Sequence, residues 1–397
     1  MRKYYPWLDL LRLASAISVA LFHHLYFSWA AKIIDNDYNL FADYPRFPFA
    51  ANFTWFGWVG VEVFFVISGF VIANSASKRS PVQFLISRAL RLYPAVWVCS
   101  TATFVVLLLF AKLSLSQLIG AYIRSLVLFP RGPWIDGVYW TLAAEISFYA
   151  LVFLLLTLKR VTLLHAAWGL TVYSGLFNAV GLLVALGVIP SARLYEFFNL
   201  HRLAAGAQLL LYPGCFFALG IWFFIAANQK LTVFERFGLA LAFFSGVAEI
   251  FNNCKFGISN VTYLPSGGST LLPLAPIAVF TSAMCIVGFA ARGSVRSTAS
   301  VVGAGNLRTL GLVTYPFYLV HNLIGAAAAS LLIAAGLDAG LSVFLSLTGL
   351  LMLCWVFCSK VEPVITALLK KFLARLGLGY REQSTSSTKI RGFEGPA

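Results

Sequence analysis

Residues 7–29 read WLDLLRLASAISVALFHHLYFSW, a stretch that is long and apolar enough to cross a membrane. A spanning helix needs about 20 mainly apolar residues, and ionisable groups are rare within one because burying them is costly. This stretch nevertheless contains Asp9, Arg12 and His23. It is too long for a signal peptide and lacks a clear small-residue cleavage site. We therefore interpret it as a retained first span whose polar side chains mark a function.

The chain as a whole is strongly apolar. Of its 397 residues 60% are apolar and 11% are charged, whereas soluble domains have about 45–50% apolar and about 25% charged residues. This excludes a soluble globular enzyme, a disordered protein and a collagen-like fibre. Because only helices satisfy their backbone hydrogen bonds in lipid at such lengths, we predict an all-α polytopic membrane protein with about ten transmembrane helices. The predicted spans are 7–29, 57–76, 92–111, 139–158, 163–189, 207–227, 237–252, 271–291, 309–335 and 340–359.

The basic residues orient these spans. Lys and Arg number 29 and the net charge is +15. With the N-terminus inside, 20 of the basic residues fall on cytoplasmic segments and 8 on outer segments. Cytoplasmic loops of membrane proteins are enriched in Lys and Arg. We therefore expect both termini in the cytoplasm, and the charge excess requires no nucleic-acid partner.

Two regions are predicted. Residues 1–360 form a membrane domain without a detectable internal repeat. In 361–397, the part 364–376 has apolar residues at helical spacing with basic residues between them. This is typical of a basic amphipathic helix on the inner membrane surface, in contact with membrane lipids. The apolar residues are Ile365, Leu368, Leu369, Phe372 and Leu376, and the basic ones are Lys370, Lys371 and Arg375. The polar remainder is expected to be a disordered cytoplasmic tail.

Helical geometry relates Arg12 to His23. The two are 11 residues apart, so at 100° per residue they project within about 20° of each other and are separated by about 16 Å along the axis. Counting inward from the span ends places His23, Glu62 and Glu145 at a similar depth, about 8–9 Å from the outer surface. His321 falls near the middle of its span.

A second group of polar residues lies at the opposite end. Arg12, Arg88 and Arg91 are all predicted near the cytoplasmic side, and Arg88 and Arg91 share a helix face. Arginine clusters bind phosphates well, and a histidine near carboxylates suits general base catalysis. The pattern favours an enzyme that takes an activated phosphate-bearing donor from inside and acts on an acceptor from outside.

Simpler interpretations remain for several of these side chains. Arg88 and Arg91 also fit a role as positive-inside anchors, and Glu62 and His321 fit helix packing. The six cysteines form no CxxC pair, and no ligand cluster has the spacing of a metal site. We therefore expect no metal and no permanently bound cofactor.

Five blocks of sequence together resemble the acyltransferase-3 family of integral membrane acyltransferases, and they occur in the family's order. The most specific is Leu8-Asp9-Leu10-Leu11-Arg12 followed by ten residues and His23. The others are Gly60-Val61-Glu62-Val63-Phe64-Phe65-Val66-Ile67-Ser68-Gly69-Phe70, Arg88-Ala89-Leu90-Arg91, Trp140-Thr141-Leu142-Ala143-Ala144-Glu145 with Phe148-Tyr149, and Tyr315-Pro316-Phe317-Tyr318-Leu319-Val320-His321.

This resemblance implies transfer of an acyl group, commonly acetyl, from acyl-coenzyme A as donor substrate. The acceptor would be a hydroxyl of an exported or cell-surface glycan or of a lipid-linked oligosaccharide. The chain has no Gly-Asp-Ser sequence, so we expect a stand-alone member without the C-terminal SGNH domain that many members carry. It would lie in the inner membrane of a bacterium.

The resemblance also assigns roles to single residues. His23 is the expected catalytic histidine, as general base or transient acyl carrier. Glu145 would orient it, an inference that also rests on their common depth. The residues that would hold the coenzyme A are Arg12, Arg88 and Arg91, and the possible supporting residues are Asp9, Glu62, Trp140, Tyr149 and His321.

Three other functions are compatible with parts of the sequence. A secondary transporter could use the buried His, Glu and Asp side chains as a proton relay, but we find no repeated halves. An enzyme of the other membrane O-acyltransferase superfamily could use His321-Asn322, which would leave Arg12 and His23 unexplained. A passive structural or sensor protein would not need so many intramembrane charges.

Overall fold

The computed structural model describes residues 5–31, 44–158, 162–189, 206–257, 261–264, 272–291 and 304–378. Over these residues the fold is all-helical, with one isolated β-bridge between Ala31 and Val261. The predicted all-α class is therefore confirmed.

The structure has fourteen helices in its described part, and two short π-helical turns interrupt them. The first turn, His23–Phe27, lies within α1, and the second, Phe357–Val361, joins the last two helices. The helices are α1 (Pro6–Ala30), α2 (Pro48–Thr54), α3 (Val59–Ala76), α4 (Pro81–Phe110), α5 (Leu115–Leu126), α6 (Trp140–Thr157), α7 (Leu163–Ala185), α8 (Gly214–Asn228), α9 (Val233–Gly257), α10 (Leu274–Ala291), α11 (Ala304–Val320), α12 (Leu323–Ala334), α13 (Ala339–Val356) and α14 (Glu362–Arg375).

Each of the ten predicted spans overlaps one of these helices. By length and hydropathy, seven helical segments of the described part can cross a membrane, or eight if the bent pair α11 and α12 is one span. The helix α8 is shorter than a usual span, with 15 residues. The molecule is thus an integral membrane protein, while the count of ten spans and the cytoplasmic position of both termini stay predictions.

The last two helices form one long segment. Residues Ala339–Arg375 make a helical segment of 37 residues, about 55 Å at the usual rise, so it exceeds the roughly 30 Å hydrocarbon core of a bilayer. The predicted amphipathic helix is present as α14, where Val364, Leu368 and Phe372 are exposed. It continues the last span through the second π-helical turn. The predicted disordered tail lies mainly outside the described residues, which end at 378.

Glycines bring the central helices close together. A Cβ on Gly220 of α8 would overlap the carbonyl oxygen of Val66 on α3, and one on Gly69 would overlap the carbonyl oxygen of Phe217. The helix α1 packs against α3 and α11, and Gly60 allows the first of these contacts, because a Cβ there would lie 2.5 Å from the Ser15 carbonyl oxygen. This packing fixes where the polar residues of α1 lie.

We expect Gly220→Ala to destabilise the fold, because the added methyl meets backbone atoms that cannot move aside as a side chain can. Overpacking of this kind costs about 1–3 kcal/mol. The control is Gly169→Ala in α7, where an added Cβ has no heavy atom within 4 Å. Unfolding titrations in mixed micelles measure both variants. Equal free energies of unfolding for the two would contradict the close α3–α8 packing.

Candidate functional site

Two of the predicted arginines are held by ion pairs. Arg12 donates to Asp9 on the same helix, with 2.9 Å between Nη1 and Oδ1. Arg91 of α4 donates to Glu362 of α14 over 3.2 Å, and its guanidinium lies 5.5 Å from the ring centroid of Tyr315. Arg12 and Arg91 also interact electrostatically with each other. The last helix therefore contributes a carboxylate to this site, which sequence reasoning did not predict.

The third predicted arginine has no ion pair among the described residues. Arg88 donates to the hydroxyls of Ser75 and Ser87 over 3.3 Å each, and it interacts electrostatically with Arg79 and Arg91. Arg79 donates to the same Ser75 hydroxyl over 2.6 Å. We call Arg12, Arg79, Arg88 and Arg91 the arginine cluster. Arg79 is one of the 20 basic residues predicted on the cytoplasmic side, and its place in this cluster was not predicted.

Glu145 of α6 lies beside the arginine cluster. Its Oε1 accepts hydrogen bonds from the hydroxyls of Ser68 and Tyr149, each over 2.6 Å, and it interacts electrostatically with Arg12 and Arg88. Its hydrogen bonds thus do not go to His23, which we had expected it to orient. Counting residues from the span ends gives the depth of a side chain but not the neighbour that it faces.

The other predicted supporting residues pack around these groups. The Trp140 ring lies 6.0 Å from that of Phe65, between ring centroids, and 6.4 Å from that of Tyr212. Glu62 is buried and interacts electrostatically with Cys215 and Tyr318. Both therefore lie in the packed core around the site.

His23 opens the π-helical turn of α1, where the backbone departs from the regular α-helix. Such turns are frequent at functional sites. Its ring is partly exposed and makes edge contacts with Phe22, Phe27 and His321, the last at 5.2 Å between centroids. Among the described residues, no group forms a hydrogen bond with either of its ring nitrogens. We call His23 and His321 the histidine pair.

His321 lies in the break between α11 and α12, which differ in direction by 74°. Its side chain is completely buried. The Nδ1 atom lies 2.8 Å from the carbonyl oxygen of Tyr318, while Nε2 has no hydrogen-bond partner in the described part of the chain. The structure therefore brings together two histidines that the sequence had placed on spans far apart in the chain.

His24, next to His23, has a different environment. It is buried, and its Nε2 lies 2.7 Å from the backbone carbonyl oxygen of His321. Its Nδ1 lies 2.6 Å from the hydroxyl of Tyr44. A carbonyl can only accept, so Nε2 carries the proton and Nδ1 accepts from Tyr44. Burial raises the pKa of Tyr44, which keeps this donor protonated. His24 is therefore a structural residue that connects α1 to the break.

Asp136 holds the other side of the break. Its carboxylate accepts from the Asn322 side chain over 2.9 Å and from the backbone N–H of Leu323 over 3.2 Å. It is fully buried just before α6. The second bond satisfies a backbone N–H that the start of α12 leaves without an intrahelical partner, and the first ties the Asn322 side chain to the same carboxylate. Sequence reasoning missed Asp136, although an aspartate a few residues before a helix is typical of a cap.

The helix α11 connects the arginine cluster to the histidine pair. Tyr315, Tyr318 and His321 follow one another at intervals of three residues, so they lie on one side of the segment. Tyr315 packs on Arg91 at one end and His321 packs on His23 at the other. Tyr315 and His321 are about 9 Å apart along α11, and Arg12 and His23 are about 16 Å apart along α1. The site can thus bind an anionic group at one end and perform proton transfer at the other.

The described residues contain no group of three or more His, Cys, Asp and Glu side chains that could hold a metal ion. The polar atoms of the site are instead guanidinium, imidazole, carboxylate and hydroxyl groups. These suit the binding of an anionic organic molecule and acid–base chemistry.

Comparisons with known proteins agree with this chemistry. Residues 5–360 match a family model described as an acyltransferase domain. The chain is 29% identical over 300 residues to the exopolysaccharide production protein ExoZ of Rhizobium meliloti, an alignment that covers 72% of this chain and 83% of that protein. It is also 29% identical over 220 residues to the peptidoglycan O-acetyltransferase OatA of Listeria monocytogenes, which covers 49% of this chain and 31% of OatA. No solved structure is significantly similar to the chain.

Proposed function

The chain belongs to the acyltransferase-3 family, and from this we propose that it moves an acetyl group from cytoplasmic acetyl-coenzyme A to a hydroxyl of an exported or cell-surface polysaccharide. The family resemblance of the five sequence blocks is thereby confirmed. The name of ExoZ refers to exopolysaccharide production, and that of OatA refers to peptidoglycan O-acetylation. Both support a glycan acceptor.

One observation carries this proposal: α1 holds both Arg12 and His23, while α11 contacts Arg91 through Tyr315 and reaches the histidine pair at His321. Coenzyme A has phosphates at one end and a thioester at the other, joined by a long arm. Phosphates bind well to arginines. An extended donor whose phosphates lie at Arg88 would have its thioester directed along α1 and α11 towards His23.

The reaction needs one proton acceptor at the thioester. In the proposed step, His23 takes the proton of the acceptor hydroxyl while the hydroxyl oxygen bonds to the acyl carbon. The bond from that carbon to sulfur then breaks, and the thiolate receives the proton to leave as free coenzyme A. General base catalysis of this kind contributes about 10²–10⁴-fold to the rate. The arginine cluster binds the donor and does not take part in proton transfer.

The proposed location is the inner membrane of a bacterium, with the arginine cluster on the cytoplasmic side. Both relatives are bacterial proteins, and the 20-to-8 distribution of basic residues supports this orientation. Acetyl-coenzyme A is a cytoplasmic metabolite, so its phosphates would meet the arginine cluster first. The acceptor would reach the histidine pair from the opposite side.

The experiment that tests this function uses the purified protein in liposomes with acetyl-coenzyme A. The acceptor is cell-envelope polysaccharide prepared from a host strain that lacks the protein. We expect release of free coenzyme A in equal amounts with alkali-labile acetyl ester on the polysaccharide. Absence of both products, with the protein shown to be folded, would contradict the proposal and favour the transporter alternative.

A further inference from the structure

The unpaired nitrogen of His321 needs an explanation. A buried acceptor without a hydrogen bond is costly because it has lost its bonds to water, and most buried polar atoms have a partner for that reason. The His321 side chain is fully buried, and its Nε2 has none among the described residues. Other nearby polar atoms at this break are paired: the His321 carbonyl oxygen accepts from His24, and the Leu323 N–H donates to Asp136.

The tautomer of His321 follows from its other nitrogen. The Nδ1 atom lies 2.8 Å from the Tyr318 carbonyl oxygen, and this oxygen can only accept, so Nδ1 carries a proton. In the neutral imidazole, Nε2 then presents a lone pair. The hydrogen bond from His24 to the His321 carbonyl oxygen holds the backbone that carries the His321 ring. Nε2 of His321 is thus a hydrogen-bond acceptor without a donor among the described residues.

His23 is the side chain placed to supply that donor. Its ring lies 5.2 Å from the His321 ring between centroids, with planes inclined by 64°. It is partly exposed, whereas His321 is buried. Among the described residues no carboxylate forms a hydrogen bond with His23, and Glu145 is bound to Ser68 and Tyr149. A partly exposed base in contact with a buried acceptor is the arrangement in which the buried group orients the base.

We propose that His321 is a positioning residue for His23. When the substrates are bound, the ring N–H of His23 donates a hydrogen bond to Nε2 of His321. This inference rests on the proposed function. The bond fixes which His23 nitrogen is free to take the acceptor proton, and it stabilises the imidazolium that forms. Catalytic hydrogen bonds are often long before substrate binds and shorten in the complex.

The proton count of the step is unchanged by this assignment. One His23 nitrogen takes the proton of the acceptor hydroxyl and later delivers it to the departing thiolate. The other His23 nitrogen keeps its proton and shares it with His321 throughout. His321 itself neither gains nor loses a proton. A neutral side chain that places a hydrogen-bond acceptor at the Nε2 position should therefore retain part of the activity.

This gives a test with two substitutions at the same site. Asn in place of His321 retains a donor near the Nδ1 position but does not reach the Nε2 position. Gln carries an amide oxygen to about the Nε2 position and retains the acceptor. We expect His321→Asn to lower kcat at least about 100-fold, within the range for a lost contribution to general base catalysis. The KM for acetyl-coenzyme A should stay within about threefold.

We expect His321→Gln to be at least about ten times faster than His321→Asn under the same conditions. The assay is release of coenzyme A by the full-length protein in liposomes, with acetyl-coenzyme A and the polysaccharide described above. A histidine control is His165→Asn, because His165 is exposed and, among the described residues, hydrogen-bonds only with Thr162. Thermal unfolding establishes that each variant is folded.

The outcomes separate the two proposals. An inactive wild-type protein overturns the proposed function and this inference with it. Wild-type activity with an unaffected His321→Asn variant overturns this inference alone. Equal losses in the Asn and Gln variants also overturn it, because they show that an acceptor at this position is not sufficient. Rescue by Gln with unchanged KM supports it, since a purely structural role predicts no such split.

Discussion

Replacement of His23 by alanine is expected to abolish acyl transfer, with a loss of at least about 10²–10⁴-fold in kcat. His23 is the partly exposed member of the histidine pair, and neither ring nitrogen has a hydrogen bond in the described structure. One of them is therefore free to take the proton of the acceptor hydroxyl. Release of coenzyme A and ester formation on the polysaccharide measure the effect.

The control for this variant is donor binding. The arginine cluster lies about 16 Å from His23 along α1, so the Kd of His23→Ala for acetyl-coenzyme A should equal that of the wild type. Membrane levels should be unchanged as well, because the ring forms no hydrogen bond with the described residues. A His23→Ala protein that transfers acetyl at the wild-type rate would remove the catalytic assignment.

The double substitution Arg88→Ala with Arg91→Ala is expected to weaken donor binding by about 10- to 100-fold, with kcat changed much less. Hydrogen bonds to charged groups contribute about 1.5–3 kcal/mol each. Arg88 should contribute more of this effect, because it has no ion pair among the described residues, whereas Arg91 is paired with Glu362. The KM for acetyl-coenzyme A at saturating acceptor measures the change.

Arg236→Ala provides the matched control for this pair. Arg236 is exposed and is predicted on the same side of the membrane. Within the described part of the chain its side chain donates only to the carbonyl oxygen of Leu231. We expect its KM for acetyl-coenzyme A to equal that of the wild type. If the double variant also has the wild-type KM, Arg88 and Arg91 are topology anchors only.

The positions of the helices were predictable because hydropathy alone determines which stretches are stable in lipid. The amphipathic helix α5 was missed, since only one of its faces is apolar and the search was for continuous apolar runs. The break between α11 and α12 was missed for a different reason. The backbone N–H of Leu323 at this break donates to Asp136, which is far away in the chain. No local sequence pattern around His321 indicates that contact.

The site was predictable where two residues share one helix. Arg12 and His23 both lie on α1, so their spacing gave their relation directly. Contacts between helices were less accessible. These contacts depend on how each helix is rotated about its axis. Examples are the contact of Glu145 with Ser68 and Tyr149 and that of His24 with the break. Small residues such as Gly60 and Gly220 set this rotation through close packing, and such contacts leave no pattern in a single sequence.

Binding of acetyl-coenzyme A to the detergent-purified protein tests the central claim most directly. Isothermal calorimetry on the wild type beside Arg12→Ala is the measurement. The account predicts saturable binding by the wild type and clearly weaker binding by the variant, because Arg12 belongs to the arginine cluster. A folded wild-type protein that binds neither acetyl- nor longer acyl-coenzyme A would contradict it.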